Sequence, residues 1–160
     1  MKIEKSPLEF INFFILKNNY SFNTCEPGIN LIELFNSYEI DLDYQIQNPQ
    51  DNNFQVFIKI KINNSKIPLP GYSIFAEGVA IYSIPDPPAI TEIDRKNLIS
   101  YSSVSIAINC LRDYISSASS FWPFGKYILP AVDLNKLIND KFELVQKQMK
   151  ESVDGKKQKK

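Results

Sequence analysis

The chain has 160 residues and a mass of 18.4 kDa, enough for one domain and too little for two with separate cores. Apolar residues make up 44% and charged residues 22%, which excludes disordered, collagen-like and low-complexity classes. Histidine is absent, so no imidazole acid/base, His-activated nucleophile or His metal site exists, and 18 basic against 18 acidic residues leave no excess for neutralising nucleic-acid phosphates.

Residues 8–23, LEFINFFILKNNYSFN, carry aromatic and β-branched residues on both alternating sets of positions. They predict a strand buried on both faces or covered by a partner. Residues 25–37, CEPGINLIELFNS, follow as a connection more apolar than a loop needs, with Leu31, Ile32, Leu34 and Phe35 among its side chains. A short satellite helix or a crossover over the core accounts for them, or they wall a groove.

A second strand at 38–47 alternates Tyr38, Ile40, Leu42, Tyr44 and Ile46 with Glu39, Asp41, Asp43 and Gln45. A third at 54–63 alternates Phe54, Val56, Ile58, Ile60 and Ile62 with Gln55, Phe57, Lys59 and Lys61, and the two form a hairpin. Keeping the apolar faces together sets Lys59 and Lys61 opposite two of the carboxylates. The row therefore reads first as cross-strand ion pairs, then as a docking surface for a basic partner, and last as catalytic. A fourth strand spans about 72–84, where Gly78 marks a bulge or a close backbone approach, and the segment PDPP stops it.

Thr91, three residues before Asp94, opens a helix that meets no proline or glycine until about Ser119. Its stripe runs Leu98, Tyr101, Val104, Ile108, Leu111, Ile115 and Ala118 over roughly 28 residues, about 42 Å. One four-stranded sheet cannot cover that length, so part of the helix is expected to meet another subunit. The loop SSFWPFGKYILP follows, holding Phe121, Trp122, Phe124, Tyr127, Ile128 and Leu129. About half of these side chains should fold onto the core, and the rest should stay exposed as a binding surface. Asp133 then caps a second amphipathic helix through Met149.

Strands in a run followed by helices predict an α+β domain, a four-stranded antiparallel sheet with two C-terminal helices on one face. Its boundaries are set at 1–150. Residues 150–160 carry five Lys and two acids, so 151–160 read as a basic disordered tail. Cys25 and Cys110 match no disulfide or metal pattern, no phosphate loop or other cofactor motif occurs, and no metal or cofactor is expected. MKIEKSPLEF offers no apolar signal core and no apolar run spans a membrane, so the expectation is a soluble cytoplasmic protein without membrane insertion or nucleic-acid partners.

The order of elements and several short motifs resemble the SecB family of protein-export chaperones. Leu111-Arg112-Asp113-Tyr114-Ile115-Ser116 resembles the family's Arg-acid-x-Ile-Ser on the long helix. The aromatic loop with Pro123 and Phe124, and Leu129-Pro130-Ala131-Val132-Asp133-Leu134, resemble its helix-connecting loop and second-helix start. Tyr20-Ser21-Phe22 and Gly78 with Ile81-Tyr82-Ser83-Ile84 are similar to its strand motifs, so the likeness covers roughly residues 8–150. The chain departs from the family at Asn109-Cys110, at Asp133, and in lacking a strongly acidic surface.

The resemblance implies a homotetramer, a dimer of dimers. It also implies ATP-independent, non-enzymatic holding of unfolded precursor chains in apolar grooves formed here by Phe121, Trp122, Phe124, Tyr127, Ile128 and Leu129 with Leu31, Ile32, Leu34 and Phe35. In the family an acidic sheet surface docks the SecA translocation ATPase; the corresponding candidates are Glu39, Asp41, Asp43 and Glu77, with Phe75 standing where a family acid is expected. SecB-like chaperones serving toxin–antitoxin partners share the fold and form an alternative. A reading from a different class is a hot-dog-like enzyme or small-ligand binder, in which Asp113 or Glu77 would sit beside an enclosed apolar tunnel.

Overall fold

The computed structural model describes residue 2, residues 4–84 and residues 90–157, with side chains described through residue 147. The expected PDPP stop and the last three residues of the expected tail lie outside the described residues. Four strands, β1 (Glu9–Asn23), β2 (Ile40–Gln47), β3 (Asn53–Ile62) and β4 (Gly71–Ser83), form one antiparallel sheet in the order β1-β4-β3-β2. Because β1 and β2 are consecutive in sequence but lie at opposite edges, their connection must cross the sheet. It carries α1 (Leu31–Asn36), capped by the Asn30 side chain, which accepts from the Ile32 N–H, and closed by the Ser37 hydroxyl, which donates to the Leu34 carbonyl. This is the expected crossover with its satellite helix.

The β2–β3 register pairs Asp41 with Lys61 and Asp43 with Lys59, so the alternation read from the sequence fixes both faces. Phe54, Val56, Ile58, Ile60 and Ile62 of β3 and Tyr72, Ile74, Ala76, Ala80 and Tyr82 of β4 are buried and face the helical side. At Gly78 the sheet admits no side chain: an added Cβ would lie 2.5 Å from the Phe13 ring and 3.0 Å from the Phe14 carbonyl. The close-approach reading holds at Gly78, while the register shifts fall between Phe10 and Asn12 and between Ile15 and Lys17 of the facing strand. β1 itself is an edge strand and largely exposed, so within one chain it is not buried on both faces.

The helix expected from Thr91 is present as α2 (Glu92–Asn97), a π turn (Leu98–Ser102) and α3 (Ser103–Ser119), running without a break. Thr91 caps it as its spacing predicts, accepting from the Asp94 N–H and donating to the Asp94 carboxylate. The π turn changes which residues face the sheet. Its extra residue per turn rotates Tyr101 outward, to 37% exposed, and brings Ile99 and Ser103 into the core beside Val104. The Tyr82 hydroxyl donates to the Ser103 carbonyl at 2.7 Å, anchoring the turn to β4. Strict helical spacing could not reveal this local unwinding.

The described residues from Ala131 onward form a second compact unit, whose helix α4 (Leu134–Lys157) is capped by Asp133: its carboxylate accepts from the Lys136 N–H at 3.0 Å. The helix continues past the boundary expected at 150, so residues 151–157, read from composition as disordered, are helical here.

Burial raises the phenols of Tyr38, Tyr44, Tyr72, Tyr82 and Tyr127 above their ordinary value. A raised folded-state value gives stability that is complete below the unfolded tyrosine range, near pH 10, and lost as pH rises beyond it. With no histidine, denaturant midpoints should stay flat from about pH 6 to 8 and fall above that, first as the half-buried Cys110 thiol and then as the tyrosines pass their unfolded range. A sharp loss centred near neutrality in a pH series of melts would contradict this.

Candidate functional site

The loop between α3 and residue 130 is held at both ends and in the middle. At its start the Ser119 hydroxyl accepts from the Tyr127 N–H at 2.8 Å. At its end Arg112 of α3 donates to the carbonyls of Leu129, at 3.1 Å, and Pro130, at 3.0 Å. In the middle the Tyr72 hydroxyl accepts from the Phe124 N–H and donates to the Gly125 carbonyl, both at 2.8 Å. These anchors divide the loop's side chains. Tyr127 and Leu129, expected to bind a client, are only 1% and 2% exposed and belong to the core, because their flanking backbone is tied to α3. Phe121 and Ile128 point outward at 93% and 65%. Trp122 and Phe124 lie between these limits, half-buried.

What half-buries them is β1 together with Tyr72 of β4, whose ring lies 5.1 Å from Trp122 and 5.4 Å from Phe124. Trp122 stacks on Tyr20 at 4.4 Å and meets Phe22 edge-on at 6.0 Å, and Phe124 meets Phe22 at 6.5 Å. Tyr20 and Phe22 remain 49% and 45% exposed, so loop and strand together form one aromatic surface at the sheet edge. Tyr20 and Phe22 were absent from the expected site. Their signals in the sequence are the family-like Tyr20-Ser21-Phe22 motif and the strand's apolar content on both faces, which requires a cover that the described residues supply only in part.

The crossover meets the same cluster from the other side. Phe35 stacks on Tyr72 at 5.4 Å and lies 5.5 Å from both Tyr38 and Tyr127. The expected groove between the two apolar connections is thus filled by Phe35 itself. Leu31 and Leu34 are half-buried, and Ile32 points to solvent.

The carboxylate row lies on the other face of the sheet. Asp41 pairs with Lys61 at 3.4 Å and Asp43 with Lys59 at 4.0 Å, the ion pairs predicted from alternation. Glu77 stands in register between Lys59 and Lys17, giving an alternating row Asp43, Lys59, Glu77, Lys17. Glu39 is exposed just before β2, where its carbonyl accepts from the Asn63 N–H. Such exposed pairs contribute about 0–1 kcal/mol each, but they leave three of the four expected docking carboxylates opposed by lysine.

The features that would favour an enclosed catalytic site do not converge. Between β1, β4 and α3 the apolar space is about 10 Å³, close to the minimum for one water. Asp113 is exposed on the helix, whereas Glu77 lies on the opposite face of the sheet. Cys25 and Cys110 are half-buried free thiols, and burial, aided by the Asp113 carboxylate, pushes the Cys110 thiol up, away from thiolate. Among the described residues no group of three or more His, Cys, Asp or Glu is placed to hold a metal ion, and no helix is long and apolar enough to cross a membrane.

An antiparallel sheet of order β1-β4-β3-β2, with a crossover over one face and a long helix against it, is an α+β fold of the SecB-like class. It is shared with Rv1957 of Mycobacterium tuberculosis, a SecB-like chaperone whose structure was solved in complex with a ChAD peptide from the Rv1956 HigA1 antitoxin. That match has a TM-score of 0.55 at 13% identity and covers 79% of this chain and 91% of that one. A protein of unknown function from Streptococcus agalactiae matches 78% of this chain and 97% of its own at a TM-score of 0.37 and 7% identity, too low to indicate a shared fold. No protein-family model matches the sequence, and no curated protein matches it.

Proposed function

We propose that this protein is an ATP-independent holding chaperone that binds non-native polypeptide on the aromatic surface formed by β1 and the α3–α4 loop. The observation that carries the proposal is the exposure of Phe121, Ile128, Tyr20 and Phe22 around the half-buried Trp122 and Phe124, an apolar area a folded domain has no structural need to leave open. The SecB-like fold supports it, as does the peptide bound by the M. tuberculosis relative of that fold. One aromatic buried by a client removes about 150–250 Å² from water, so a single site binds weakly. Several sites on one oligomer engaging one long chain raise the apparent affinity by roughly 10²–10⁴.

That oligomer is the second part of the proposal. β1 presents a 15-residue outer edge with no sheet neighbour among the described residues, and Phe10, Ile11, Phe14 and Leu16 are exposed along it. Pairing with a second copy would cover both its backbone groups and these side chains. We propose that copies associate and assemble into a tetramer. We do not extend the proposal to SecA, because the lysines opposing Asp41, Asp43 and Glu77 leave that row without surplus acid. A dedicated client, such as an antitoxin segment, fits the same surface as a general precursor does.

The test combines mass and fluorescence. Light scattering should give a mass near four chains at micromolar concentration. Adding a reduced, unfolded protein should shift the emission of Trp122, the only tryptophan, to the blue. A monomer sinks the assembly, and a Trp122 signal indifferent to saturating unfolded protein sinks the holding function.

A further inference from the structure

The charge of the chain is divided along its length. Residues 1–133 carry ten basic against fourteen acidic residues, and residues 134–160 carry eight lysines against four acids. The balanced total thus hides an anionic portion followed by a cationic one. The surplus grows along the second portion, where residues 155–160, GKKQKK, hold four lysines and no acid. Such asymmetry points to a partner surface of fixed, negative sign.

Helix α4 adds an apolar side to this charge. At 3.6 residues per turn, Leu134, Leu137, Ile138, Phe142, Leu144 and Val145 fall within an arc of about 160°, with Lys136, Asn139, Glu143 and Lys147 opposite. Phe142, Leu144 and Val145 are 63%, 54% and 36% exposed, so the described residues leave the middle of this face open. Lys141 falls inside the arc, half-buried, and its four-carbon stem is long enough to carry the ammonium out to a headgroup layer. The helix is about 36 Å long, enough to cross a bilayer. Charged residues recur along it, however, and no described helix is apolar enough to cross. Its chemistry suits lying along a surface.

We propose that α4, with the lysines that follow it, attaches the chain to an anionic lipid surface. The apolar arc sinks into the boundary between headgroups and acyl chains, and the lysines meet the lipid phosphates and carboxylates. A run of lysines spread along the chain matches a plane of many mobile anions, whereas an acidic protein groove would need its carboxylates placed against a few fixed lysines. The acidic portion, residues 1–133, gains nothing from the same surface, so attachment falls to α4. This proposal does not rest on the holding function.

The test is co-sedimentation of the full chain with vesicles of phosphatidylcholine, with and without phosphatidylserine. Binding should appear on the anionic vesicles, be weaker by about tenfold or more on the neutral ones, and fade as salt is raised. Phe142→Ala with Leu144→Ala should weaken it by about tenfold or more. Lys136→Gln with Lys147→Gln should weaken it by about fivefold per lysine, on anionic vesicles alone. All four side chains are exposed, so neither pair should move the melting temperature. The proposal is overturned if both vesicle types bind equally or neither binds. It is also overturned if the Phe142, Leu144 pair binds anionic vesicles as well as wild type does. A lower mass in solution for that pair, read by light scattering without lipid, would overturn it too, since the face is then covered by a second copy. The holding function is read by a different assay, so either can fail alone.

Discussion

Replacing Phe121 and Ile128 together by alanine should weaken capture of unfolded polypeptide by roughly 10²-fold or more while leaving the melting temperature unchanged. Both side chains are already in water, at 93% and 65% exposure, so truncating them removes nothing from the core and should change stability by about 0.5 kcal/mol or less. Covering each with a client is worth about 1.5–3 kcal/mol, and the pair therefore about 3–6 kcal/mol of binding, before the multiplying effect of several sites. Leu129→Ala is the contrasting variant. Its side chain is 2% exposed, so its loss should cost about 2–5 kcal/mol of folding stability, and any fall in capture should follow the loss of fold. Capture assays beside calorimetry of both variants separate the two roles. Equal capture by wild type and the Phe121, Ile128 double variant would remove the loop from the binding surface.

The largest expected effect on stability comes from a glycine. Gly71 has a φ of +92°, and a Cβ there would overlap the Tyr38 hydroxyl. That hydroxyl joins the Pro70 carbonyl to the Tyr72 N–H, so it cannot step aside without leaving both unbonded. Gly71→Ala should cost about 3–5 kcal/mol, of which about 1–2 kcal/mol is left-handed backbone strain and the rest the displaced hydrogen bonds. Gly28→Ala is the control, because Gly28 has nearly the same φ, +90°, and nothing within 4 Å of its Cβ position. It should pay the backbone term alone. Similar losses at both positions, read from denaturant midpoints, would show that the Tyr38 bridge contributes little.

Several parts of this fold were legible in the residue order. The alternation of Tyr44, Ile46, Val56 and Ile58 with Asp43 and Lys59 gave strands, faces and ion pairs together, because a strand's period of two ties each side chain's face to its position. Thr91 and Asp133 marked helix starts because a cap acts within one turn. The SecB likeness read from short motifs agrees with a fold shared with a SecB-like chaperone at 13% identity, a level at which the order of elements carries the resemblance.

Other features depended on contacts distant in sequence. Nothing local separates Tyr127 and Leu129 from Phe121 and Ile128; Ser119 and Arg112 make the division by pinning the backbone on either side. The same holds for Tyr20 and Phe22, which join the surface only because β1 pairs with β4 and comes to lie beside the loop. The rotation at Leu98–Ser102 is hidden from any fixed period, since one extra residue in one turn leaves the composition unchanged while moving Tyr101 out and Ile99 in. The sequence by itself determined the strands, the helix starts, the α+β class and the apolar excess in two connections, since propensity, period and capping act over a few residues. Only the tertiary structure decided which of those apolar side chains are core and which are surface, and that Phe35 packs against Tyr38, Tyr72 and Tyr127, because burial is set by neighbours from distant parts of the chain.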